Sequence, residues 1–169
     1  MTARVSGAER AVVAAQLGRP PRAVHRVAHT CTCGLPDVVE TAPRLEDGTP
    51  FPTTYYLTCP RAASAVGRLE SEGLMREMSA RVTEDPDLAR AHAAAHEDYL
   101  RRRDAVAADA GVEPLPSRTS AGGMPTRVKC LHVLVAHELA VPGANPLGRE
   151  ALDRLPDWGA AGPCVTPPA

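Results

Sequence analysis

"PDVVETAPRLEDGTPFPTTYYLT" (residues 36–58) decides the fold. Its two ends, "PDVVET" (36–41) and "PTTYYLT" (52–58), are rich in β-branched and aromatic residues and read as strands. Between them "EDGTP" (46–50) supplies Asp47 and Gly48, the residues of a turn. The stretch is therefore a hairpin with a longish loop, in which positions whose numbers sum to about 95 face each other.

Towards the N-terminus, "CTCGLP" (31–36) is a tight loop punctuated by Gly34 and Pro36, and residues 23–29 are a candidate third strand. "SGAERAVVAAQLG" (6–18) reads as a helix: Ser6 caps it, Glu9 completes a capping box and Gly18 stops it. "RPPR" (19–22) is an extended connector. Towards the C-terminus, Pro60 opens a helix that Gly73 closes, with Ala62, Val66 and Leu69 on one face. A short helix is expected at 74–82, and a long one at 86–109 with Leu88, Ala95, Tyr99 and Val106 inward. A Gly/Pro/Ser-rich loop covers 110–126, a helix follows at 127–140, "PGANPLG" (142–148) ends it, and 149–155 forms a last short turn of helix. The expected fold is α+β, a small antiparallel sheet of two or three strands packed with several helices. One domain is expected over 1–164, with a loose tail at 165–169.

Composition narrows the functional classes. Hydrophobic residues make up 44%, enough for a folded globule, but aromatics are only 3%, so Leu, Val and Ala must build most of the core. The net charge of −1 implies no bulk attraction to nucleic acid or membrane, and neither partner is expected. Arg4, Glu9, Arg10 and Gln16 interrupt any apolar run near the start, and no stretch approaches the length of a membrane span. The expected location is the cytoplasm, where thiols stay reduced. Five cysteines, an odd number, then point away from a disulfide framework and towards metal binding, reactivity or packing.

"VKCLHVLVAHELA" (128–140) sets Cys130, His132 and His137 in an apolar stretch. On a regular helix Cys130 and His132 are about 200° apart and cannot reach one ion, whereas Cys130 and His137 share a face with a rise of about 10 Å between them. In an extended segment Cys130 and His132 would share a face instead. The hairpin register brings Cys59 opposite residue 36, beside the "C-x-C-G" loop of Cys31, Cys33 and Gly34. Cys59 precedes Pro60 and Cys130 lies near the start of its helix, so both are expected where the helix dipole favours thiolate. Three assignments stay open. A zinc or iron–sulfur centre would use Cys31, Cys59 and Cys130, with Cys33, Cys164, His132 or His137 as a further ligand. A reactive Cys59 would use a histidine as base. A cluster of reduced thiols would carry no chemistry.

Three further motifs are weighed beside these. "HAAAH" (92–96) spaces His92 and His96 one turn apart but lacks the glutamate of a metalloprotease signature, and reads as a solvated helix face. "RRR" (101–103) reads as a solvated helix end. "SAGGMPTRVK" (120–129) places Gly122 and Gly123 before an expected helix start, with Arg127 and Lys129 following, the ingredients of an anion site.

Taken together, "CGLPDVVETAP", "DGTPFPTTYYLTCP", "AHEDYL", "SAGGMP", "VKCLHVLVAHELA" and "NPLG" resemble the bacterial family called domain of unknown function 501, over about residues 8–164. The family's cysteine-loop element falls on Cys31, Cys33, Gly34 and Pro36, with Thr30 where relatives often have Arg. Its F-P-T…C-P element falls on Phe51, Pro52, Thr53, Cys59 and Pro60, and its K-C-L-H…A-H element on Lys129, Cys130, His132 and His137. The resemblance implies a setting near septum formation and a possible cell-division partner, and brings no reaction with it. The leading expectation is a Cys/His metal or iron–sulfur site of structural or redox-sensing role, built on Cys31, Cys59 and Cys130 with His137 or His132 added. The alternatives are an enzyme acting on a phosphorylated or anionic small molecule, held by Gly122, Gly123, Arg127 and Lys129, and an interaction module without a metal.

Overall fold

The computed structural model describes residues 3–169. Its elements in chain order are α1 (Gly7–Leu17), β1 (Val24–Thr30), β2 (Pro36–Thr41), β3 (Tyr55–Leu57), α2 (Pro60–Ser71), α3 (Leu74–Glu84), α4 (Pro86–Ala110), α5 (Leu131–Ala140) and α6 (Pro146–Asp153). The strands form one antiparallel sheet in the order β1-β2-β3, so the fold is α+β. Val38 pairs with Leu57, Val39 with Tyr56 and Glu40 with Tyr55, the register expected from a turn at Asp47-Gly48. In that turn the Thr49 amide donates to the Asp47 carboxylate at 2.9 Å and Gly48 has a φ of 85°.

Local chemistry sets the helix ends. Ser6 and Glu9 close a reciprocal capping box on α1, and Gly18 leaves the helix at a φ of 69°. Prolines occupy the first turn of α2, α4 and α6, where a missing N–H costs nothing. Asp85 caps α4 by accepting from the amides of Asp87 and Leu88, and Asn145 caps α6 by accepting from the Gly148 amide. That Asn145 cap starts α6 at Pro146, three residues earlier than expected.

The core lies between the sheet and the helices, with α5 at its centre. Leu131, Leu134 and Val135 of α5 pack with Val38 and Tyr55 of the sheet, Val66 of α2, Met78 of α3 and Tyr99 of α4. α6 lies so close to α5 that a Cβ built on Gly148 would come within 2.2 Å of the Leu134 carbonyl oxygen. The strongly apolar α5 has no exposed residue, and His137 and Glu138 are buried with it, while His132 is half-buried.

α5 starts four residues later than expected because the preceding backbone is committed elsewhere. The Lys129 amide donates to the Gly122 carbonyl at 2.7 Å, Arg127 to Gly123 at 3.1 Å, and Val128 to the Ser79 hydroxyl at 2.9 Å. Gly122 and Gly123, at φ of 66° and 89°, let the loop turn under itself. Two expectations of solvated charge are corrected by the same loop. Arg103 is buried, donating to the carbonyls of Thr119 at 2.8 Å and Ser117 at 2.6 Å. His92 and His96 are buried as well, bonded to the Arg127 carbonyl at 3.0 Å and the Ser120 hydroxyl at 2.7 Å. Among the described residues no helix is long and apolar enough to cross a membrane.

Two outcomes follow from this packing. Gly148→Ala forces α5 and α6 apart and is expected to lower the unfolding free energy by about 3 kcal/mol, read by urea denaturation. Burial lowers the pKa of His92, His96 and His137 below the ordinary 6.5. Below pH 6.5 the unfolded chain therefore takes up protons that the folded chain refuses, and stability falls as the medium is acidified. The urea midpoint is expected to drop between pH 6.5 and 5, and less steeply in His96→Gln; the arginine-paired carboxylates Asp98 and Glu150 add their losses only nearer their ordinary 3.8 and 4.5.

Candidate metal centre

Two helices meet over the candidate site. Cys130 is the N-cap of α5, with an extended backbone at φ −151° and ψ 111°. It therefore lies outside the helix, and the rotation that would separate it from His132 does not apply. His132, in the first turn of α5, bends back beside it. Glu70, in the last turn of α2, completes the group: one ligand atom from each of Glu70, Cys130 and His132 lies within 4.8 Å of the other two. Among the described residues this is the one group of three or more His, Cys, Asp or Glu side chains so disposed.

Hydrogen bonds orient the imidazole. His132 Nε2 donates to the Ala63 carbonyl at 3.1 Å, while Nδ1 bonds the Glu70 carboxylate. Nε2 is held by a carbonyl, which can only accept, Nδ1 meets the carboxylate, and the Cys130 sulfur lies within 4.8 Å of the ring's ligand nitrogen. The charges are mutually adjusted. The bond to Cys130 is the main reason that the His132 pKa is pushed up to about 9, against its partial burial. Burial works to raise the Cys130 pKa, but the bond from His132 and the Val133 amide outweigh it and the thiol falls below its ordinary value. A half-buried thiol made more acidic, a histidine made more basic and a glutamate thus sit in one cluster.

The other cysteines go elsewhere, so the expected set of Cys31, Cys59 and Cys130 is not assembled as one group. Cys31 and Cys33 form the tight loop as expected, with the Cys33 amide directed at the Cys31 sulfur at 3.4 Å. Burial nonetheless raises the Cys31 pKa. Gly159 covers this loop, where a Cβ would come within 2.7 Å of the Cys31 sulfur. Cys59 caps α2, but burial overrides the helix amides and raises its pKa to about 11, opposite to the expected thiolate. It lies beside Cys164, whose sulfur accepts from the Gln16 amide at 3.4 Å.

His137 is also corrected. It is fully buried, stacked on Tyr55 with ring centroids 5.8 Å apart and edge-on to Tyr99 at 5.2 Å. Its Nε2 bonds Asp98 at 2.9 Å and its Nδ1 faces the Asn145 amide at 3.3 Å. Both ring nitrogens are used, and neither is available to an ion with Cys130. The anion site at Gly122, Gly123, Arg127 and Lys129 is not assembled either. The amides of Arg127 and Lys129 are spent on loop carbonyls, and α5 begins beyond them.

Glu70 and the Ala63 carbonyl were not legible as site groups. They are seven residues apart and so share a face of α2. Nothing in the spacing says that this face meets the start of α5.

A cavity of about 420 Å³ opens beside the cluster, lined by Tyr55, Tyr56, Leu57, Ala63, Cys130 and His132 among others. The donor atoms therefore border a recess as well as one another.

No curated protein matches the chain, and no solved structure matches it. The family model described as protein of unknown function DUF501 matches residues 27–153, from within β1 to the end of α6, a shorter span than the quoted phrases suggested, and the chain belongs to that family.

Proposed function

We propose that this protein holds a single zinc-type divalent ion on Glu70, Cys130 and His132, with one coordination position left towards the cavity. The observation that carries the reading is the His132 ring, fixed through Nε2 by the Ala63 carbonyl so that Nδ1 meets the Glu70 carboxylate, with the Cys130 sulfur in the same group. A metal-bound histidine is oriented in this way, its second nitrogen donating to a backbone carbonyl or carboxylate. One sulfur, one nitrogen and one oxygen form a borderline donor set that suits zinc. An iron–sulfur cluster calls for four thiolates, or two with two histidines, and one thiolate favours the zinc assignment. Three protein ligands with an open fourth position is the pattern of zinc sites that bind water or substrate; structural sites are closed by four. The ion would replace the proton on Nδ1 and tie the end of α2 to the start of α5.

The charge pattern favours one second reading. Without an ion, Cys130 is an activated nucleophile, His132 its proton-bearing partner and Glu70 the group orienting the imidazole.

Metal analysis of protein purified without chelators separates the two. The metal reading expects one zinc per chain and, after exchange with cobalt(II), a thiolate-to-cobalt charge-transfer band that Cys130→Ser abolishes. Glu70→Gln and His132→Ala are expected to weaken binding on the order of 10–100-fold or more. Saturating zinc is expected to raise the stability of the stripped protein by about 4 kcal/mol when present at a thousand times its Kd. A protein that stays metal-free and shows no cobalt band ends the metal reading. The thiol reading then requires iodoacetamide to label Cys130 well ahead of the buried Cys59.

A further inference from the structure

The chain beyond α6, residues 154–169, forms neither helix nor strand, yet it is tied back onto the body as a strap. The Asp157 carboxylate accepts from the Thr32 hydroxyl at 3.4 Å, and Gly159 is packed over the Cys31 sulfur. Arg61, in the first turn of α2, donates to the Gly162 carbonyl at 2.7 Å. Further on, the Cys164 sulfur accepts from the Gln16 amide at 3.4 Å, and the same amide donates to the Pro36 carbonyl at 2.6 Å. Cys164 therefore lies at the Pro36 end of β2. Cys59 lies there too, because the preceding residue, Thr58, donates its amide to the Asp37 carbonyl at 2.8 Å. The two thiols are neighbours within hydrogen-bonding contact. They are unequal. Cys59 is 1% exposed, whereas Cys164 is half-buried, so a dissolved oxidant meets Cys164 first.

From this we infer that Cys59 and Cys164 form a reversible oxidation site, which a hydroperoxide closes to a disulfide. Cys164 gives up its proton and its thiolate attacks one peroxide oxygen. The O–O bond breaks, the departing hydroxide takes the proton as water, and Cys164 becomes a sulfenic acid. The Cys59 sulfur then displaces the sulfenic oxygen, which leaves with the Cys59 proton as a second water. Two thiols thus lose two electrons and two protons, and one hydrogen peroxide becomes two waters. A dithiol reductant reverses the change. To bond, the sulfurs must close from contact to about 2.05 Å. Cys59 is fixed between β3 and α2, so the movement falls on the strap, whose backbone belongs to no helix or strand. The bridge turns a strap held by separate hydrogen bonds into one joined covalently to the N-cap of α2. Neither Cys130 nor an ion takes part, and the site stands independently of the metal reading.

The test treats the fully reduced, full-length chain with hydrogen peroxide at neutral pH, blocks the remaining thiols with iodoacetamide and maps tryptic peptides without reduction. Cys59 and Cys164 fall on separate peptides, residues 45–61 and 155–169, and these are expected to run as one linked species that dithiothreitol separates. Residues 27–44, which carry both Cys31 and Cys33, are expected to stay unlinked. Cys164→Ser, at a half-buried position, is expected to abolish the link, and Cys130→Ser to keep it. In the linked chain the Gly162 amide, which bonds the Gly159 carbonyl at 3.0 Å, is expected to exchange with solvent on the order of tenfold more slowly. Peroxide that leaves both thiols open to iodoacetamide, oxidation of Cys164 to a sulfinic acid with Cys59 still free, or a link from Cys59 to residues 27–44 overturns the inference. So does a link formed in equal yield by the urea-unfolded chain, or an unchanged exchange rate at Gly162.

Discussion

The structure depends on keeping α5 out of water. The helix is apolar enough to fill the centre of the core, yet it carries His137 and Glu138 into that centre with it. Buried ionisable groups are tolerated only when their hydrogen bonds are met. His137 is met by Asp98 from α4, by Asn145 from the cap of α6 and by two tyrosine rings. Glu138 accepts from the amides of Gly143 and Asn145, each at 2.8 Å, and so shapes the turn into α6. Satisfying these two side chains positions α4, α6 and the loop between α5 and α6 around one helix. The start of α5, and with it Cys130 and His132, is placed by the same packing.

Asn145 shows how few groups carry this arrangement. Its side-chain oxygen caps α6 through Gly148, its side-chain amide faces His137, and its backbone amide satisfies Glu138. Gly148 is then required by proximity, since the cap draws α6 against the Leu134 carbonyl. A comparable economy holds the long loop before α5. His92, His96, Arg103 and Ser79 each spend a side-chain bond on loop residues between 117 and 128, and the glycine pair turns the remaining amides inward.

The elements whose signals are local were legible in the sequence. The hairpin register follows from the position of Asp47-Gly48 between two β-branched runs, and the Ser6 cap and the first-turn prolines Pro60 and Pro86 mark the starts of their helices. What was not legible depends on contacts between distant segments. His92, His96 and Arg103 look like solvated charges until the loop folds over them. Glu70 looks like one charge among several on α2 until α5 docks there. His137 shares a helical face with Cys130 on paper, but its own position on α5 faces the core, so the stronger demand of burial claimed that histidine. Cys130 and His132 became neighbours because helix formation began one residue too late to separate them.

Cys59 and Cys130 make the electrostatic point by comparison. Both are N-caps, both have extended backbones, and neither makes a side-chain cap bond. The helix dipole acts on each in the same sense, worth on the order of 1 kcal/mol. Yet one thiol pKa rises to about 11 and the other falls. Cys59 is enclosed by the core with a second thiol as its neighbour, which offers no positive charge. Cys130 has an imidazole whose other nitrogen is anchored to Ala63 and whose charge Glu70 supports. A helix N-terminus alone is therefore too weak to set the state of a buried thiol; a neighbouring cation decides it. Among the described residues only Cys130 has such a pair, His132 and Glu70, grouped with it, and the four remaining cysteines lack one.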